Sequence, residues 1–258
     1  MSFLKKWKSK QNKMMLKNKQ LPLYINNRTQ NIFLKLCYFS ILICLLSCKT
    51  EAPKQENSSV TAIQKSETKN NTETTTKRIV FFGDSLTAGY GLEDVEDAFP
   101  GIIQNKIDSL GLQYKVVNSG ISGETSAGGK NRIDWVLNQK PDIFILELGA
   151  NDGLRGVNLK ETKSNLQFII DAIKEKYPTT KIVLAGMQIP PNMGQEYATE
   201  FKNIFPNLAA KNNVALIPFL LEDVGGIASL NQSDGIHPTK KGHKILAENT
   251  WEVLKPIL

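Results

Sequence analysis

Four short stretches carry residue types that acyl transfer needs: Ser85 in GDSLTAGYG, Gly120 in NSGISGETSAGG, Asn151 in GAND, and Asp234 with His237 in DGIHP. A serine hydroxyl is a poor nucleophile until a base takes its proton, and histidine is the side chain whose ordinary pKa suits that task near neutrality. An acid bonded to the far imidazole nitrogen fixes the tautomer and stabilises the imidazolium that forms. Asp234 and His237 stand three apart in a glycine-containing turn, so both can face one point. The tetrahedral intermediate needs donors aimed at its oxyanion, and the backbone N–H groups of Ser85 and Gly120 with the Asn151 amide are candidates.

Each of these residues also has a purely local explanation. Ser85 and Thr87 are good helix N-caps, Asp234-Gly235 and Asn151-Asp152-Gly153 are good turns, and His237-Pro238 suits the start of a helix. Asp84 beside the serine is read as a backbone-capping residue rather than an acid or base. His243, the second of two histidines, falls inside a helical pattern and is read as structural. With two histidines in the whole chain, a histidine-rich metal site is not expected.

The elements that must position these residues alternate from Arg78 onward. RIVFFG, YKVVNSG, IFILELG, KIVLAGM and VALIPFL read as strands. Their nearly continuous apolar character is that of strands buried on both faces. Between them, NLKETKSNLQFIIDAIKEKYP puts Leu159, Leu166, Ile169, Ile170, Ile173 and Tyr177 on one helical stripe that Pro178 ends. Residues 99–110, 125–138, 192–211 and 239–254 read as further helices. Five strands separated by helices predict an α/β fold, a parallel sheet covered on both sides. Ligands of such sheets bind outside the carboxyl ends of the strands, which is where Ser85, Gly120, Asn151, Asp234 and His237 follow their strands.

The rest of the chain bounds the setting. Its net charge of +7 lies in the leader: residues 1–50 hold ten Lys or Arg and no acid, leaving 22 basic against 25 acidic side chains afterwards. The excess is no footprint of nucleic-acid binding. A Lys-rich segment precedes LCYFSILICLLSC, whose apolar run has the length of a signal-peptide core and falls short of the roughly 20 residues of a membrane span. The ending LLSC resembles the bacterial lipoprotein signal, which implies cleavage before Cys48, its lipidation, and export to a membrane-anchored position in the cell envelope. Cys37, Cys44 and Cys48 are the three cysteines of the chain, so cysteine nucleophiles and redox pairs are excluded from the remainder. The expected organisation is a signal peptide over residues 1–48, a flexible polar tether over 49–77 and one domain over 78–258.

Taken in order and spacing, GDSLTAGYG, the glycine of NSGISGETSAGG, GAND and DGIHP resemble the four blocks of the SGNH hydrolases, also called GDSL esterases and lipases. ELGANDGLRG, QIPPNMG, LIPFLLE and DGIHPTKKGHKILAENTWEVL narrow the resemblance to the bacterial arylesterase subgroup, which includes an exported acyl-CoA thioesterase with lysophospholipase activity. The resemblance implies a flavodoxin-like three-layer α/β/α sandwich with a five-stranded parallel sheet. It also implies Ser85 as nucleophile, His237 as base oriented by Asp234, and an oxyanion hole of Ser85 N–H, Gly120 N–H and the Asn151 side chain. No cofactor or metal is expected. Ala150 stands where many relatives have glycine, and its small side chain is expected to leave the loop unchanged unless the position needs positive φ.

The expected substrate is a small-molecule acyl ester or thioester, with medium to long acyl chains favoured by the subgroup resemblance. Ile189, Pro190, Pro191 and Met193 of MQIPPNMGQEY form the expected apolar wall of the acyl site. Two other readings stay open at this point: a carbohydrate O-acetyl esterase, and a surface-binding lipoprotein without turnover. The residues leave the oligomeric state open.

Overall fold

The structure is a computed structural model that describes residues 76–258. Cys48, the rest of the expected signal peptide and residues 49–75 of the expected tether lie outside the described residues.

Strand β1 (Lys77–Gly83) opens the domain one residue before the expected boundary, and the Lys77 N–H donates to the Gln113 carbonyl at 3.0 Å. It is followed by β2 (Tyr114–Gly120), β3 (Ile143–Glu147), β4 (Lys181–Ala185) and β5 (Ala215–Ile217). All four pairings are parallel, in the order β2-β1-β3-β4-β5. Order reverses between β1 and β3, so the crevice at their carboxyl ends is the expected ligand site of such a sheet. In β3 every residue is buried, as the continuous apolar run demands, whereas the edge strand β2 is half-exposed. The last two strands are shorter than their apolar runs. Pro218 follows Ile217 and has no N–H for the ladder, so β5 stops after three residues.

Helices fill the connections: α1 (Ser85–Ala88), α2 (Phe99–Ser109), α3 (Ser126–Val136), α4 (Ala150–Leu154), α5 (Leu159–Lys176), α6 (Gln195–Asn212) and α7 (Lys240–Leu254). Helices α2 and α7 pack on one another, and α3, α5 and α6 form a second set, giving the three-layer α/β/α sandwich. The stripe expected on α5 is the face it buries, with Leu166, Ile169, Ile170 and Ile173 all inaccessible. The core between the layers is built from Phe81, Phe82, Phe99, Phe144, Phe201 and Phe205 with the strand aliphatics. Two helices differ from expectation. GANDG forms the short helix α4 rather than an open turn, and α6 begins at Gln195, after the turn Pro191–Met193, rather than at residue 192.

Candidate active site

Ser85 follows β1 by one residue, Asp84, and is the first residue of α1, so its own N–H has no acceptor within the helix. Asp84 caps that helix: its Oδ1 accepts from the Leu86 N–H at 3.0 Å, the capping role read from the sequence. Gly89 ends the helix in the left-handed region at φ 76°, where glycine is favoured. The result is a single turn that raises Ser85 at the rim of the sheet.

Asp234 and His237 reach the same point from the loop before α7. Gly235, at φ 77°, lets the chain fold back on Asp234. Asp234 Oδ1 accepts from the N–H groups of Ile236 and His237, both at 3.0 Å, while its Oδ2 lies 2.7 Å from His237 Nδ1. These backbone hydrogen bonds first, and the imidazole second, hold the Asp234 carboxyl down at about 2 although it faces solvent. His237 Nε2 lies 2.9 Å from Ser85 Oγ. The Tyr90 ring lies 4.6 Å from the imidazole, centroid to centroid, and was not singled out from sequence.

Asn151 sits in the first turn of α4 beneath the same rim. Its Nδ2 donates to Asp84 Oδ2 at 3.0 Å and to the Glu124 carbonyl at 3.1 Å. Gly149 takes the positive φ, 115°, that opens α4, and Ala150 does not need one. The substitution at Ala150 therefore leaves the loop intact, as expected. Asp152 anchors the helix from the other side, accepting from the Ser126 N–H and hydroxyl and from the Thr162 hydroxyl.

Gly120 is a correction. It is the last residue of β2, paired with Gly83, and its N–H donates to Asn118 Oδ1 at 3.0 Å. A Cβ there would lie 2.3 Å from the Ala88 nitrogen, so the position is glycine because two backbones meet. The glycine that faces the site is Gly123, three residues on, at φ 80°. Its N–H has no acceptor among the described residues, and its carbonyl accepts from Arg155 Nη2 at 3.0 Å. Arg155 Nη2 also reaches Asn151 Oδ1 at 3.3 Å, tying the two loops together.

Ser85, Asn151, Gly123 and His237 border one cavity of about 640 Å³. Ile189 and Pro190 line it, as expected. Met193 does not: it packs back toward Gly156 and the core, because the turn Pro191–Met193 carries the chain away from the opening. The Pro191 side chain is outside the described set. Leu154, Met187, Phe219, Leu221 and Ile236 complete the apolar wall and went unnoticed in the sequence, since they come from four separate segments.

Beneath the site lies a second carboxyl. Glu147 at the end of β3 is fully buried, as is Asp84. Burial pushes the Asp84 carboxyl up to about 6, against hydrogen bonds from Leu86 and Asn151 that lower it. Burial, then the neighbouring Asp84 charge, holds Glu147 well above the usual carboxylate range. His243 is buried on α7, where its Nδ1 accepts from the Phe99 N–H at 3.2 Å. It is structural, as expected, and lies inside the fold.

Comparison with known proteins agrees with this geometry. Residues 81–245 match the GDSL-like Lipase/Acylhydrolase family. The esterase TesA of Pseudomonas aeruginosa is 40% identical over 181 residues, covering 70% of this chain and 89% of that protein. The Escherichia coli K12 protein named thioesterase 1/protease 1/lysophospholipase L1 is 34% identical, over 70% of this chain and 84% of its own. The psychrotrophic esterase EstA from Pseudoalteromonas sp., solved inhibited by monoethylphosphonate, superposes with a TM-score of 0.66 at 33% identity, covering 70% of this chain and 98% of that one. The chain belongs to the GDSL-like lipase/acylhydrolase family and is an SGNH-type hydrolase acting on ester bonds.

Proposed function

We propose that this hydrolase cleaves carboxylic esters or thioesters of medium to long acyl chains through a serine acyl-enzyme. The observation that carries the reading is the continuous path from Asp234 Oδ2 to His237 Nδ1 at 2.7 Å and from His237 Nε2 to Ser85 Oγ at 2.9 Å, at the edge of an apolar cavity. His237 takes the hydroxyl proton as Ser85 Oγ attacks the acyl carbon, then returns it to the leaving alcohol or thiol. Water, deprotonated by the same imidazole, releases the acid and restores Ser85. Asp234, ionised throughout the working range, stabilises the imidazolium.

The oxyanion is received by the N–H groups of Ser85 and Gly123 and by the Asn151 amide. The first two have no competing acceptor in the helix or among the described loops, respectively. The Asn151 amide gives up the Glu124 carbonyl, the longer of its two bonds, to the developing charge. The acyl chain lies along Leu154, Ile189, Phe219 and Leu221. That lining favours long chains over the acetyl group of a carbohydrate acetyl ester, and the complete set of reacting groups disfavours a binding protein without turnover.

The testing experiment is hydrolysis of p-nitrophenyl acetate, butyrate, octanoate and palmitate by residues 76–258 and by Ser85→Ala. A rate that depends on Ser85 and rises toward octanoate is expected. A rate confined to acetate would move the substrate to short acyl groups, and an unchanged rate in Ser85→Ala would end the nucleophile assignment.

From the order of charge, apolar run and LLSC in the sequence, export and lipidation at Cys48 are part of the same proposal. Radiolabelled palmitate is expected to enter the full chain and not Cys48→Ala; equal labelling of both would remove the anchor.

A further inference from the structure

Glu147 is an acid at the end of a strand whose other residues are Ile, Phe, Ile and Leu, and the mechanism above makes no use of it. Strand register sets it beside Gly83. Because Gly83 has no side chain, the Glu147 carboxyl folds across the end of β1 and under the turn that bears Ser85. A Cβ on Gly83 would stand 2.4 Å from Glu147 Oε2 and 2.1 Å from Thr87 Oγ1, so the glycine before the Asp-Ser pair is the space this carboxyl occupies.

Glu147 Oε2 accepts from the Thr87 hydroxyl at 2.7 Å and from the Asp84 N–H at 3.2 Å. Those two donors bracket Ser85 in sequence. The other oxygen, Oε1, is buried without a partner among the described residues. An ionised carboxylate at this depth would need a cation or donors on both oxygens. The charged group that faces it is instead the Asp84 carboxyl, which disfavours a second negative charge. Asp84 in turn receives the Asn151 amide. One buried chain of contacts thus runs from Glu147 through the Asp84 residue to an oxyanion donor, and passes the nucleophile on the way.

We propose that Glu147 is a positioning residue for hydrolysis that works uncharged, propping the turn from Asp84 to Thr87 so that Ser85 Oγ stays in line with His237 Nε2. The proposal rests on Ser85 being the nucleophile. Kinetics of p-nitrophenyl octanoate hydrolysis from pH 6 to 9 test it in wild type, Glu147→Ala, Glu147→Gln and Ser85→Ala. Glu147→Ala is expected to lower kcat by about 10- to 100-fold, the scale of a misplacement near 1 Å, with KM within about twofold. Glu147→Gln keeps a neutral acceptor for both donors and is expected to restore kcat to within about threefold of wild type. Its pH profile should superimpose on that of wild type.

A Gln variant as slow as Ala, or one with a displaced profile, would mean that the group acts as a charge and would overturn the proposal. So would Glu147→Ala within threefold of wild type while Ser85→Ala is inactive. Turnover by Ser85→Ala would overturn the nucleophile reading by itself. If Glu147→Ala does not fold, Thr87→Val removes one of the two donors at a surviving turn. It should lower kcat about fivefold at constant KM, the scale of one neutral hydrogen bond, and an unchanged kcat would overturn the role.

Discussion

Asn151 holds both of its amide hydrogens inside the resting protein, one on the Asp84 carboxylate and one on the Glu124 carbonyl. The proposed donation to an oxyanion therefore exchanges one acceptor for a better, charged one, with a gain realised only as charge develops. Asn151→Ala is expected to lower kcat by about 100-fold while KM changes by less than about threefold. A raised KM at constant kcat would place Asn151 in substrate binding. At this scale much of the site was legible, because a serine, an amide and an Asp-x-x-His turn are residue types that the chemistry requires. Two residues were not. Gly120 and Gly123 lie in one glycine-rich stretch, and the choice between them depends on which N–H the strand end leaves free: Asn118 takes that of Gly120. Glu147 was visible as a lone acid in an apolar run, but its purpose depends on the register that sets it against Gly83.

The elements were readable where periodicity is long and less so where a few residues decide. Helix α5 follows its stripe and stops before Pro178, whereas α4, five residues long, was hidden in a turn-like sequence. Helix α7 shows how an element is locked in place. His243 presents Nδ1 to the Phe99 N–H at the start of α2, one of the donors a helix cannot satisfy itself, and its ring stacks on Phe99. Burial lowers its pKa to about 4, from the ordinary 6.5. The unfolded chain thus binds more protons between those values, and the stability His243 provides is present above 6.5 and lost as pH falls toward 4. Asp84 has the opposite sign: its contribution is full below 3.8 and lost as pH rises through about 6. Both proteins in a comparison share Asp84, so the difference isolates the histidine. The Tm advantage of wild type over His243→Gln, followed by circular dichroism, is expected to shrink between pH 6.5 and 4.5. A pH-independent difference would show that the imidazole does not titrate in this way.

At the scale of the molecule, the alternation of strands and helices predicted the layers, and the carboxyl-end rule predicted the rim where the candidate residues gather. The cavity was less legible. Ile189 and Pro190 belong to a single apolar loop, but Leu154, Phe219 and Ile236 meet them only because α4, the segment after β5 and the loop before α7 end on the same side of the sheet. Charge was informative for what it excluded, once its concentration in residues 1–50 was separated from the rest of the chain.

Ser85 and the imidazole beside it are 152 residues apart in sequence, and the loop that bears His237 is held to the loop after α1 by the Gln232 amide on the Tyr90 carbonyl at 2.7 Å. Under the proposed mechanism hydrolytic competence is therefore acquired late. A chain emerging from its N-terminus presents Ser85 long before His237 exists, and under that mechanism it stays inert toward esters until the final segment has been laid against the sheet. Ester turnover by this protein accordingly doubles as a report that folding has run to completion.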